Sequence, residues 1–222
     1  MSVLSLKNFS LFAAGNRLLN SVNLDIEKHD FIKITSDQQG GKSSLMNAIA
    51  GFSSSGLVNY QGEVYFQQKL IDNHCKNREL LCSDIVIISE QDQLISRMNL
   101  LDNILLPFKY HDITYSSNKF DYLLDVFDLT HEVIQLMPEE VNDVITMRCL
   151  IVRSLLLTPK LLLLDEIEGG MNQKEFTQAL EVIYDQCQLN YCAILMTTTR
   201  IEGDLHTKAF NIQDNKLLEV IN

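Results

Sequence analysis

Two short stretches carry residue types at a spacing that can do chemistry. The first is SDQQGGKS, residues 36–43, set between the apolar run FIKIT and the helix-like SSLMNAIAGF. It follows the phosphate-cradling pattern G-x-x-x-x-G-K-[ST], with Ser36 in place of the first glycine. In that pattern backbone N–H groups and the positive end of the following helix face a phosphate chain. The residues set to meet it are Gln39, Gly40, Gly41, Lys42, Ser43 and Ser44. Lys42 would reach the outer phosphates, and the Ser43 hydroxyl would join the shell of a Mg²⁺ ion. A left-handed backbone at Ser36 would cost up to about 1–2 kcal/mol, and Asp37 brings a carboxylate towards a polyanion's pocket.

The second stretch is KLLLLDE, residues 160–166. Four apolar residues followed by two acids describe a buried strand whose carboxyl end presents a carboxylate pair. Asp165 would hold Mg²⁺ through water, and Glu166 would act as the catalytic carboxylate that polarises an attacking water.

Those residues need a scaffold, and the pattern supplies one. Residues 3–9 and 19–26 alternate apolar and polar as half-buried strands do, and FIKIT and GEVYFQQ read as further strands. SSLMNAIAGF is a short helix closed by Gly51. DIVIIS at 84–89 is of the kind found in a buried central strand. Residues 99–107, 118–130 and 139–157 have helical spacing, the last stopped by Thr158-Pro159. A helix near 172–187 and the strand AILMTT at 193–198 follow KLLLLDE. Strands alternating with helices imply a mostly parallel sheet.

Composition narrows the function classes. The chain has 222 residues, 46% hydrophobic and 21% charged, which is globular. A net charge of −11 disfavours non-specific binding to nucleic acid or anionic lipid. The five cysteines, Cys75, Cys82, Cys149, Cys187 and Cys192, show no metal-ligand spacing and fit a reducing cytoplasm. No apolar run is long enough for a membrane span, so work at a membrane would go through a partner.

On these motifs the chain resembles the nucleotide-binding domain of ABC transporters, nearly end to end. The opening strands MSVLSLKNFSLF and LLNSVNLDIEKHDFIKI, the run IISEQDQLISRMNLLDNILLPF and the run VRSLLLTPKLLLLDE carry the resemblance. LMPEE and NILLPF most resemble the lipid-handling branch, which serves phospholipid transport and lipoprotein release. The resemblance implies an α/β P-loop NTPase, with a RecA-like core, an N-terminal antiparallel β subdomain and an inserted helical subdomain. All 222 residues then form one domain, with 1–91 and 150–222 as core and 92–149 as helical subdomain. It implies ATP and Mg²⁺ as cofactors, with Phe12 stacking on adenine. It also implies an integral-membrane permease as partner, and a homodimer or a heterodimer with another ATPase subunit. The location implied is peripheral, on the cytoplasmic face of the inner membrane.

The pattern fails at specific places. The family's signature loop LSGGQ falls on Val141-Asn142-Asp143-Val144-Ile145, which puts a carboxylate and bulk where the backbone should meet a phosphate across the dimer. Its conserved glutamine falls on Glu90, with Gln91 adjacent, and its switch histidine falls on Thr198. The loop after the acids reads Ile167-Glu168-Gly169-Gly170-Met171-Asn172. Lys42, Ser43, Asp165 and Glu166 survive. The expectation is an ATP-binding transport subunit with reduced or absent hydrolysis, and the other reading is a catalytically dead scaffold on the same fold.

Overall fold

The computed structural model describes residues 2–36, 41–51, 58–71, 83–90, 92–199 and 205–220. Two long strands open the chain, β1 (Ser2–Ala13) and β2 (Asn16–Glu27), joined at Ala14 and Gly15. Both turn residues are left-handed, at φ 47° and 80°, as a tight two-residue hairpin requires. With β4 (Val58–Phe66) and β5 (Lys69–Ile71) they form an antiparallel sheet in the order β2-β1-β4-β5. Leu4, Leu6, Phe9 and Leu11 on β1 are buried with Leu19, Val22, Leu24 and Ile26 on β2, so this sheet is apolar on one side.

The second sheet has six strands in the order β10-β9-β3-β8-β7-β6. They are β3 (Phe31–Ser36), β6 (Ile85–Ser89), β7 (Leu161–Asp165), β8 (Ala193–Thr197), β9 (Lys208–Gln213) and β10 (Lys216–Val220). All neighbours run parallel except the β9–β10 pair. Alternate residues divide between two cores: Leu161, Leu163, Ala193 and Leu195 face the antiparallel sheet, while Leu162, Leu164, Ile194 and Met196 face the helices. Burial on both sides is why β7 and β8 read as unbroken apolar runs.

The helices are α1 (Lys42–Ile49), α2 (Leu100–His111), α3 (Ser117–Val126), α4 (Asp143–Leu156) and α5 (Gln173–Leu189). Gly51 closes α1 at φ 79°. α2 runs on through Pro107, four residues past the expected stop. The segment 139–157 is not one helix, because a single turn at Pro138–Glu140 precedes α4. α4 then crosses residue 149 without a break.

One expectation about the strands changes here. Among the described residues DIVIIS forms an edge strand, β6, which pairs only with β7 and is buried at Ile85 and Ile88 alone. Its composition reports apolar packing but not the number of neighbours. The closing hairpin β9–β10 was not read from the sequence at all.

Because β3, β6, β7 and β8 are parallel, their carboxyl ends gather at one edge. That edge carries Ser36, Ser89-Glu90, Asp165-Glu166 and Thr197-Thr198, the usual place for a ligand in an open α/β sheet.

Candidate nucleotide-binding site

The cradle begins at Gly41, the N-cap of α1, held left-handed at φ 86°. A Cβ there would stand 3.0 Å from the Cβ of Leu18, so glycine is required by both conformation and space. α1 has no side-chain cap and no acid in its first turn. Its first intrahelical bond runs from Leu45 N–H to the Gly41 carbonyl at 2.8 Å. The N–H groups of Lys42, Ser43 and Ser44 precede that bond and form a free anion-binding end. Asp37, Gln38, Gln39 and Gly40 lie outside the described residues, as does Gln91. Ser36 is the last residue of β3, paired with Ile212, in extended backbone. The left-handed strain considered for it does not arise.

Lys42 is buried, and its Nζ lies 3.0 Å from Glu166 Oε1. Glu166 is held at φ 53°, its N–H donating to the Thr197 carbonyl at 3.1 Å. Asp165 is buried beside it and accepts from Thr197 Oγ1 at 2.5 Å and from the Ser43 hydroxyl. Burial pushes the Asp165 carboxyl above the ordinary carboxylate value. The hydrogen bonds from Thr197 and Ser43 oppose that rise, the charge of Glu166 adds to it, and the charge of Lys42 opposes it.

Ser43 and Asp165, in contact, offer hard oxygen donors of the kind Mg²⁺ takes. No group of three His, Cys, Asp or Glu that could hold a metal occurs among the described residues. The donor set fits the ion.

The positions expected to depart from the pattern are placed as follows. The Glu90 N–H donates to the Asp165 carbonyl at 3.2 Å. Its exposed carboxylate packs on Gly169, where a Cβ would collide with it. Thr198 is buried and donates to Glu168 Oε1 at 2.5 Å, which also accepts from Thr199 N–H at 2.9 Å and Thr199 Oγ1 at 3.3 Å. Thus the loop after the acids is fastened to the end of β8. Asn142 is the N-cap of α4, its side chain accepting from Ile145 N–H at 3.0 Å, and Asp143 occupies the first turn. Val144 and Ile145 pack on the helical core rather than standing out as bulk. Phe12 is half-buried on β1, with the Arg17 guanidinium 5.3 Å from its ring centroid.

Sequence reasoning missed Thr197, Glu168 and Arg17. For Arg17, opposite Phe12 across a tight hairpin, register offered a signal. Thr197 and Glu168 meet their partners only through sheet order.

Comparison with known proteins identifies the family. The ABC transporter family model matches residues 19–168. The macrolide export ATP-binding/permease protein MacB of Campylobacter jejuni is 26% identical over 215 residues, covering 96% of this chain. The chain spans only 33% of that relative's length. The methionine import ATP-binding protein MetN of the same species is 29% identical, over 97% of this chain and 69% of its own length. A solved ATP-binding cassette, dimeric in a post-hydrolysis state with ADP and Pi, superposes with a TM-score of 0.81 at 21% identity, covering 96% of each chain. The chain belongs to the ABC transporter family, as an ATP-binding domain of it.

Proposed function

We propose that this chain is the ATP-binding subunit of an ABC-type membrane transport complex in which its own composite sites hydrolyse ATP slowly or not at all. The observation that carries the binding half is the uncapped, acid-free start of α1 at left-handed Gly41, beside Lys42, Ser43, Asp165 and Glu166. Lys42 and the α1 N–H groups bind phosphate, Ser43 and Asp165 hold Mg²⁺, and Glu166 is the candidate catalytic carboxylate. Gln39, Gly40 and Ser44 belong to the same cradle, and Phe12 receives the base once Arg17 moves aside or from its other face.

The impaired half rests on Glu90, Asn142, Asp143 and Thr198. The start of α4 is closed by the Asn142 cap and the Asp143 carboxylate, which oppose an incoming γ-phosphate from a second subunit. Thr198 directs its hydroxyl to Glu168. Residues 92–149 are assigned to the helical subdomain and 1–91 with 150–222 to the core and its β subdomain, α4 running across the boundary.

The partner proposed is an integral-membrane permease, with a homodimer or a heterodimer of ATPase subunits. No described helix is long and apolar enough to cross a membrane, in keeping with a peripheral subunit on the cytoplasmic face. A lipid-related cargo rests on the LMPEE and NILLPF phrases alone; the relatives named above export a macrolide and import methionine.

Calorimetry with Mg-ATP tests the reading, with binding expected in the wild type and lost in Lys42→Ala. No binding at millimolar nucleotide would sink this reading and leave the second, a catalytically dead scaffold on the same fold.

A further inference from the structure

We propose that this site holds a nucleoside diphosphate in preference to the triphosphate, and that Glu90 is the residue setting the preference. The proposal rests on the nucleotide-site reading above and sharpens its ligand.

The cradle has an inner, electropositive part and an outer, electronegative part. The inner part is the start of α1, where the N–H groups of Lys42, Ser43 and Ser44 meet an anion with no acid in the turn. Its one lysine is shared, because Lys42 Nζ already lies 3.0 Å from Glu166 Oε1. The charged neighbours acting on buried Asp165 are Glu166 and Lys42, so two carboxylates face one ammonium there.

The outer part adds a third carboxylate. Glu90 is tied to this edge through its N–H on the Asp165 carbonyl, and its carboxylate covers Gly169, three residues beyond Glu166. Past it the surface opens into a cleft of about 400 Å³ whose lining includes Asp92, Glu139 and Asp143. The hydroxyls at the end of β8 do not offset this charge. Thr197 donates to Asp165 and Thr198 to Glu168.

A diphosphate uses the α1 end and Lys42 and stops there. A third phosphate extends towards Glu90 and brings one more negative charge with it. For a separation taken as roughly 8 Å and an effective dielectric of ~20, one like charge weakens binding by roughly thirtyfold, and screening over a Debye length of ~8–10 Å trims that to about four- to fivefold.

The test is calorimetry on the full chain with Mg-ADP and with the Mg complex of a non-hydrolysable ATP analogue. The expected result is ADP about four- to fivefold tighter in the wild type. Glu90→Gln keeps the side chain's size at an exposed position and removes its charge. It is expected to narrow the ratio by about threefold or more, through tighter triphosphate binding with ADP little changed. Equal or tighter triphosphate binding in the wild type overturns the proposal, as does a ratio unmoved by Glu90→Gln. Binding of neither nucleotide by folded protein refutes the site reading itself and this proposal with it.

Discussion

The Lys42–Glu166 pair should show an asymmetry: in nucleotide-free protein, removing the acid costs more stability than removing the base. The two groups are 3.0 Å apart, but their side chains are 8% and 32% exposed, lysine first. At that distance their gross attraction is about 5–6 kcal/mol for an effective dielectric of ~20, most of it offset by desolvation. Lys42→Ala leaves a carboxylate that water can reach, so a loss of about 0–1 kcal/mol is expected. Glu166→Ala leaves a buried ammonium, relieved only in part by Asp165, so the expected loss is about 1–3 kcal/mol. The assay is urea unfolding of both single variants and the double variant at pH 7, without nucleotide. The cycle should give a coupling of about 1–2 kcal/mol, smaller at high salt. A Lys42→Ala variant as destabilised as Glu166→Ala, or more so, would refute the burial argument.

Gly41→Ala is expected to lose about 2–3 kcal/mol, from a left-handed alanine at φ 86° and a Cβ 3.0 Å from Leu18, measured as a lowered urea midpoint. Nucleotide binding should fall with it, since the cap position aims the cradle. For Asp165→Asn the sign follows from the raised carboxyl. The folded state keeps that proton to higher pH than the unfolded chain, so this group's contribution to stability is lost as pH rises through the window between the two values. The variant should therefore melt higher than wild type at pH 7. The difference should vanish below about pH 4, where the carboxyl is protonated in both states. Nucleotide with Mg²⁺ should stabilise the wild type more than the variant, which keeps Lys42 and the α1 N–H groups but loses a carboxylate for the ion.

Much of this arrangement was legible because local rules and global packing agree. LLLL before Asp165 could be read as a strand buried on both sides, and β7 sits between β6 and β8 with no exposed residue. α5 announces its start through Asn172 and Glu175, which form a reciprocal capping box. The closing hairpin escaped because KAFNIQ and KLLEV are mostly half-buried or exposed and barely alternate. Yet Asp214 and Asn215, both left-handed at φ 50° and 61°, carried a usable turn signal. Asn103 reads as a polar residue in an apolar helix, and its fourfold bonding to Ile95, Met98 and Asn99 has no sequence mark. Thr197 and Glu168 lie 32 and 30 residues from the partners they bind. Only the order of β7 and β8 in the sheet brings them together.

One physical rule gives opposite results at two helix ends, and the proposal that this chain holds a nucleotide without turning it over rests on it. Any helix start leaves N–H groups without intrahelical partners and a partial positive charge. At α1 the sequence spends neither: glycine caps without a side chain, and Lys42-Ser43-Ser44 adds no acid. At α4 both are partly used. Asn142 takes the Ile145 N–H, worth about 1 kcal/mol, and Asp143 opposes the helix charge for about 0.3–1 kcal/mol more. A phosphate reaching α4 must displace that cap and then face a carboxylate, whereas one reaching α1 displaces only Glu166 from Lys42.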